Sequence, residues 1–397
     1  MNNKDIIELG EKYLMNTYKR FPLALVEGQG SMVWDADGNE YIDFVTGLAV
    51  NSLGHSNLEV VEAMYEQAKK ISHTSNLYWI EPQVQLAKKL VDNSGFDKVF
   101  FSNSGAEANE GAIKLARKYS LSKYGQDRYE IITMEKSFHG RTMATLTATG
   151  QDKVQNGYNP LLQGFKYAIF NDFESLENMV TNKTCAIMLE PLQAEGGVYA
   201  ANKDYMQKLE KICKEKDILL IVDEVQTGLA RTGKLFAHEN YGIKPDIMTL
   251  AKALGNGTAI GAMLAIDSVA EYFQPGDHGT TFGGNFLACS AGNKVLDLML
   301  EGKLWEKSKK TGNYIIDKLN ELKDDYPSIV EVRGLGLLIG VEVKGESMPI
   351  VEKAMDKGLL LSNAGNNVVR FLPALNVDQE TVDKALEIFK DSLTSIF

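Results

Sequence analysis

Residues 218–228, ILLIVDEVQTG, are five large aliphatic residues followed by two acids and a polar turn that closes on glycine. An unbroken apolar run of this length, without alternation, fits a strand buried on both faces, as in a parallel sheet. Burying Asp223 and Glu224 at its end is expensive unless they are paired, hydrogen-bonded or functional, so something cationic is expected to meet one of them. The plainer alternative is an acid that caps the following turn.

The same grammar extends outward from this strand. Between about residues 95 and 265, short apolar runs (KVFFSNSG, YEIITME, TCAIMLEP) alternate with amphipathic segments such as AEANEGAIKLARKYSLSKYG and KDYMQKLEKICKEKD. Such alternation reads as an α/β layer around a largely parallel sheet, in which the ligand crevice lies outside the carboxyl ends of the strands. Asn103-Ser104-Gly105, EPLQAEGG and DEVQTG all fall at such ends. After residue 286 the pattern changes: IVEVRGLGLLIGVEVK and NVVRFLPAL resemble strands of a smaller α+β unit flanked by helices. The expected organisation is an N-terminal segment, 1–50, belonging to the smaller unit, a large unit over 51–285 and a C-terminal small unit over 286–397.

Composition narrows the function. With 44% hydrophobic and 24% charged residues the chain is an ordinary folded protein, and a net charge of −11 argues against a nucleic-acid footprint. Cys185, Cys213 and Cys289 are widely spaced, odd in number and without a C-x-x-C, so neither a disulfide framework nor a zinc site is indicated. No apolar run reaches membrane-spanning length and no signal-type hydrophobic region opens the chain, so a cytoplasmic location is expected, without a membrane partner.

Several motifs have two readings each. Ser104, Gly105 and Ala106 open a helical pattern with Ala108, Ala112, Leu115, Ala116 and Tyr119 on one stripe; free N–H groups there suit a phosphate, and an ordinary serine cap is the alternative. FHGRT, 138–142, offers an aromatic face with Arg141 nearby, unless Phe138 is core and Arg141 surface. GLARTGKL has P-loop spacing but puts Leu235 where a magnesium-binding Ser or Thr belongs, and GLGLLIG is one residue too long for a dinucleotide turn. No histidine has metal-ligand spacing, and no metal is expected.

DIMTLAKALGNG, 246–257, sets one lysine, Lys252, in an apolar context before a glycine-rich turn. An ammonium without a partner in such a site is disfavoured against the neutral amine, and a neutral amine is a nucleophile that forms Schiff bases with carbonyl ligands. A phosphate cradle, an aromatic face and an acid are the other parts pyridoxal 5′-phosphate needs.

In these blocks, and in NSGAEANEGAIKLAR, DEVQTGLARTGKLFA, LAKALGNG, GDHGTTFGGN and VRFLPAL, the sequence resembles the class III, fold-type I pyridoxal-phosphate aminotransferases over nearly its whole length, most closely their acetylornithine branch. The resemblance implies a large domain with a mostly parallel central sheet and a smaller α+β C-terminal domain. It implies that Lys252 bonds the cofactor and shuttles the proton, that Asp223 pairs with the pyridine nitrogen, that Phe138 and Val225 flank the ring, that Gln226 approaches its hydroxyl, and that Ser104, Gly105 and Ala106 hold the phosphate. Thr281 would reach the phosphate in a neighbouring subunit and Thr280 the substrate, so a homodimer with shared sites is expected.

The implied substrates are N2-acetylornithine as amine donor and 2-oxoglutarate as acceptor, giving glutamate in a step of arginine biosynthesis. Arg370 matches the arginine for the acceptor's carboxylate, Glu195 the acid that neutralises it when the donor is bound, and Arg141 the grip on the donor's distal carboxylate, suited to bidentate recognition. Ala194, Ala230 and Thr258-Ala259 depart from the family pattern without removing a catalytic group. Ornithine, succinylornithine, acetyl-lysine or 4-aminobutyrate would serve the same apparatus, and a non-catalytic PLP- or nucleotide-binding protein is the alternative from another class.

Overall fold

The computed structural model of the chain describes residues 1–396. Its centre is a seven-stranded sheet in the order Lys98–Ser102, Gly261–Ala265, Ile247–Leu250, Leu219–Asp223, Thr184–Leu189, Glu130–Met134, Phe165–Ala168. Gly261–Ala265 runs antiparallel to both neighbours, and the remaining pairings are parallel. The strand ending in the two acids therefore sits in the middle of the sheet.

Its aliphatic residues divide between two faces, as the two-residue period of a strand requires. Leu219 and Ile221 join Ala112 and Leu115 of helix Gly105–Tyr124, while Leu220 and Val222 join Met206 and Leu209 of helix Lys203–Lys216. Full burial of each such side chain is worth about 1.5–3 kcal/mol, which is why the run carries no polar residue before Asp223. Helix Gly105–Tyr124 starts at Ser104, whose Oγ accepts the Glu107 N–H at 3.2 Å. It stops at Gly125, where φ is 84°, a conformation that glycine adopts without Cβ strain.

The smaller unit follows the expected strands. Ile329–Leu335, Leu338–Val343, Val368–Phe371 and Ser362–Ala364 form an antiparallel sheet in that order. The GLGLLIG segment is a strand, a turn at Gly336 (φ 56°) and a strand. Near the N-terminus, Leu25–Gln29, Met32–Asp35 and Glu40–Asp43 form a meander that Leu359–Leu360 extends in parallel, with Ile42 opposite Leu359. Helix Phe286–Glu301 packs against helices Leu58–Ala68 and Glu81–Asp92 as well as Leu304–Asp325. Among the described residues, no helix is long and apolar enough to cross a membrane.

Candidate active site

The carboxyl ends of the central strands open onto one cavity of about 420 Å³, bordered by Ser104–Ala106, Glu190, Asp223 and Lys252. The two acids of DEVQTG part company there. Glu224 turns into the protein and accepts from His238 Nδ1 and the His238 N–H, both at 2.8 Å, and from the Ala237 N–H at 2.5 Å. Burial pulls His238 down, but the Glu224 carboxylate more than offsets it and raises the imidazole above its usual value. Asp223 stays at the cavity wall: Oδ2 accepts Asn109 Nδ2 at 2.7 Å and His139 Nδ1 at 2.8 Å, and Oδ1 accepts the Val225 N–H at 3.0 Å. Each of the two acids thus meets a histidine.

Around this acid the backbone is tightly fitted. A Cβ on Gly105 would lie 2.6 Å from Val225 Cγ1, so only glycine lets the helix start press against the Val225 side chain. The Phe138 N–H donates to Glu190 Oε2 at 3.0 Å, and the Arg141 guanidinium lies 5.6 Å from the Phe138 ring centroid, within cation–π range.

Lys252 follows strand Ile247–Leu250 in a left-handed conformation, φ 43°, a region non-glycine residues seldom occupy and in which strain is held by the surroundings. Removal from water pulls its ammonium down to about 8, with Glu195 and Asp223 opposing and Arg370 assisting through space. Arg370 Nη1 meets Glu195 Oε1 at 2.5 Å and Gln226 Oε1 at 3.3 Å, and its Nε donates to Ser362 Oγ at 3.2 Å. Burial pushes the Glu195 carboxyl up, but Arg370 and Lys252 more than compensate and hold it below its usual value. Glu190 has no paired arginine: burial and the Asp223 carboxylate push its carboxyl well above the usual range, with the Phe138 N–H and Lys252 opposing only in part.

A buried amine near neutrality, an aimed carboxylate and a second carboxylate paired with arginine constitute an amino-group chemistry site, and the family model for class-III aminotransferases matches residues 13–393. The chain belongs to the class-III aminotransferases. It is 53% identical over 392 residues to an acetylornithine aminotransferase of Caldanaerobacter subterraneus subsp. tengcongensis, covering 98% of this chain and all of that protein. The crystal structure of an acetylornithine aminotransferase from Elizabethkingia anophelis superposes with a TM-score of 0.89 at 34% identity, covering 100% of both chains. An ornithine aminotransferase from Toxoplasma gondii, with PLP partially occupying its active site, superposes at 0.95 and 32% identity, covering 99% of this chain and 94% of that one.

In this class-III aminotransferase the cavity gathers most of the residues singled out from sequence: Ser104, Gly105, Ala106, Phe138, Arg141, Glu195, Asp223, Val225, Gln226 and Lys252 all border it. Arg370 stands behind Glu195 and Gln226. Thr280 lies beside the wall, its Oγ1 accepting Asn103 Nδ2 at 3.0 Å, and Thr281 is exposed. Asn109, His139 and Glu190 border the cavity as well, yet sequence reading assigned them no role. Asn109 hides at the buried face of a helix and His139 in the loop between Phe138 and Arg141. Glu190 had a signal: an acid closing an apolar strand, as Asp223 does. Of the departures from the family pattern, Ala230 sits at φ 69°, where a Cβ is strained and glycine is not. Ala194 packs with Val198 and Val368, and its carbonyl accepts Arg370 Nη1 at 3.2 Å.

Proposed function

We propose that this protein moves the terminal 5-amino group of N2-acetyl-L-ornithine to 2-oxoglutarate, giving N-acetyl-L-glutamate 5-semialdehyde and L-glutamate in arginine biosynthesis, with pyridoxal 5′-phosphate as cofactor. The observation that carries it is the 2.5 Å Glu195–Arg370 pair, whose Glu195 borders the cavity of Lys252. A transaminase with two unlike substrates needs a cation that can be covered for one and uncovered for the other, and this pair is such a device. The donor assignment draws on relatives of that name matched over their full length.

The residues fit the cofactor. Small residues at a helix start suit its phosphate, Phe138 and Val225 its ring, Gln226 its ring hydroxyl, and the cavity-side Asp223 a ring nitrogen that must stay protonated. When bound, pyridoxal phosphate supplies the carbonyl and the electron-accepting ring for amino transfer. Lys252, with its amine near neutrality, holds that carbonyl and then moves a proton to and from the amine-bearing carbon of the substrate. Arg141 grips the donor's distal carboxylate while Glu195 keeps Arg370 neutralised. 2-Oxoglutarate, whose carboxylate adjoins its carbonyl, displaces Glu195 and takes the guanidinium.

A homodimer belongs to this reading, with Thr281 serving the neighbouring site's phosphate and Thr280 contacting substrate. Asn76 Nδ2 donates to the Gly283 carbonyl at 2.9 Å, and beside this tie Leu77, Trp79 and Phe282 are 87%, 93% and 60% exposed. Large apolar side chains in that density mark a contact surface, and a second copy of the chain would cover them.

The likeness to an ornithine aminotransferase supports a second donor reading. The test is product analysis of the purified protein with PLP and 2-oxoglutarate, comparing N2-acetylornithine with ornithine, lysine and 4-aminobutyrate. Preferential glutamate formation from acetylornithine supports the first reading. Preference for free ornithine supports the second, and no glutamate from any donor rejects both.

A further inference from the structure

Asn109 lies on helix Gly105–Tyr124, about one turn beyond the helix start that borders the cavity, and is 1% exposed. Its Nδ2 donates to Asp223 Oδ2 at 2.7 Å and to the His139 carbonyl at 2.8 Å, while Oδ1 accepts Thr249 Oγ1 at 2.7 Å. A carboxylate oxygen and a carbonyl are both acceptors, so only the NH2 side of the amide can face them and the orientation is fixed. Thr249 stands on strand Ile247–Leu250, one position from the Asp223 strand by direct pairing. The amide therefore ties together a helix and two strand ends.

His139 completes the arrangement. Nδ1 faces the Asp223 carboxylate and donates to it, while Nε2 is buried without a partner. Its backbone N–H donates to Thr149 Oγ1 at 2.9 Å. Asp223 Oδ2 takes both side-chain N–H donors, whereas Oδ1 receives one backbone N–H, and the residue borders the cavity.

We infer that Asn109 is a positioning residue for Asp223: it immobilises one carboxylate oxygen so that the other is aimed into the cavity, and the helix whose start borders the cavity thereby also aims the acid at its far side. This rests on the cofactor reading above. A purely packing role predicts that an isosteric aspartate is tolerated better than alanine. A positioning role predicts the reverse, because Asn109→Asp sets a second acceptor against Asp223 where a donor stood.

The experiment is titration of apoprotein with pyridoxal phosphate, followed by protein fluorescence and visible absorbance, for wild type, Asn109→Ala, Asn109→Asp and Thr249→Val, each first checked for folding by circular dichroism and thermal melting. A hydrogen bond to a charged group is worth enough that Asn109→Ala should weaken the dissociation constant roughly ten- to a hundredfold. Thr249→Val, which leaves the amide but removes the hydroxyl that orients it, should weaken it less. Asn109→Asp should be worse than Asn109→Ala at neutral pH and recover as pH falls, when a proton shared between the two acids restores a donor. The ionisable groups around the pair are His139, Glu190, Glu195, Lys252 and Arg370, and they are the same in every variant. Wild-type affinity in Asn109→Ala, or an Asn109→Asp that binds as well as wild type at neutral pH, overturns the inference. If wild type itself binds no pyridoxal phosphate, the cofactor reading fails instead.

Discussion

Glu195 and Arg370, 175 positions apart in sequence, meet at 2.5 Å between Oε1 and Nη1, one on the segment after strand Thr184–Leu189 and the other on strand Val368–Phe371 of the smaller sheet. The pair couples the two sheets at the cavity, and in the proposed reaction it would divide the two half-reactions. Glu195→Gln weakens the cover on the guanidinium, so the acceptor half-reaction should gain relative to the donor half-reaction. A hydrogen bond to a charged partner is worth about 1.5–3 kcal/mol, and the ratio of the two efficiencies should move roughly tenfold or more. Stopped-flow measurement of each half-reaction separately checks this; equal effects on both would remove the switching role.

Lys252 gives a pH signature. Its ammonium is pulled down to about 8 by burial, so the amine is protonated and unreactive below that pH and nucleophilic above it. Apoprotein mixed with pyridoxal phosphate, trapped with borohydride and mapped by peptide mass spectrometry should show labelling of Lys252 rising through a midpoint of about 8. A midpoint near 10.5, the ordinary lysine value, would show that the site does not desolvate the amine.

Burial and the Asp223 carboxylate raise the pKa of Glu190 well above that of an ordinary carboxyl. Below that raised value it carries its proton, and Glu190→Gln, also neutral and of the same shape, should change kcat/KM only a few-fold at pH 7. Above that raised value the wild type deprotonates beside Asp223, and the Gln variant should then outlast it. Glu190→Ala, which releases the Phe138 N–H, should be impaired at all pH values. A large loss in Glu190→Gln at pH 7 would mean that the carboxylate form is needed.

How much of this was legible in the sequence depended on contrast with the surroundings. Lys252 and Asp223 stood out because each interrupts or ends an apolar run, and the alternation around them gave the parallel sheet. Asn109 did not stand out, since a polar residue inside an amphipathic helix looks like any other until the helix is docked, and His139 sits in a loop whose contact with Asp223 no local pattern announces. Arg231 drew no reading of its own inside GLARTGKL, which was weighed only as a P-loop look-alike. The N-terminal meander went unread because Leu25–Gln29 is largely exposed and lacks a clean period.

Arg231 carries a stability prediction. The guanidinium is 1% exposed and donates to the Leu337 and Pro373 carbonyls at 3.0 and 2.6 Å and to Ser52 Oγ at 3.0 Å, joining the 228–235 loop to the smaller sheet. Burial alone pulls it down to about 9. Arg231→Met fills much of the volume but leaves buried acceptors unpaired, at about 1–3 kcal/mol each, so the denaturant midpoint should fall by the equivalent of roughly 2–5 kcal/mol. Arg231→Lys should recover only part, since a lysine cannot reproduce the planar fork. A change below about 1 kcal/mol for Arg231→Met would show the clamp to be dispensable.

The most direct test of the central claim is the visible spectrum of the protein with pyridoxal phosphate, followed as N2-acetylornithine and then 2-oxoglutarate are added, with Lys252→Ala alongside. The account predicts a lysine-dependent visible band that the donor bleaches and the acceptor restores, and a Lys252→Ala protein that completes no cycle. A band that acetylornithine leaves untouched, or a Lys252→Ala variant that cycles at the wild-type rate, would contradict it.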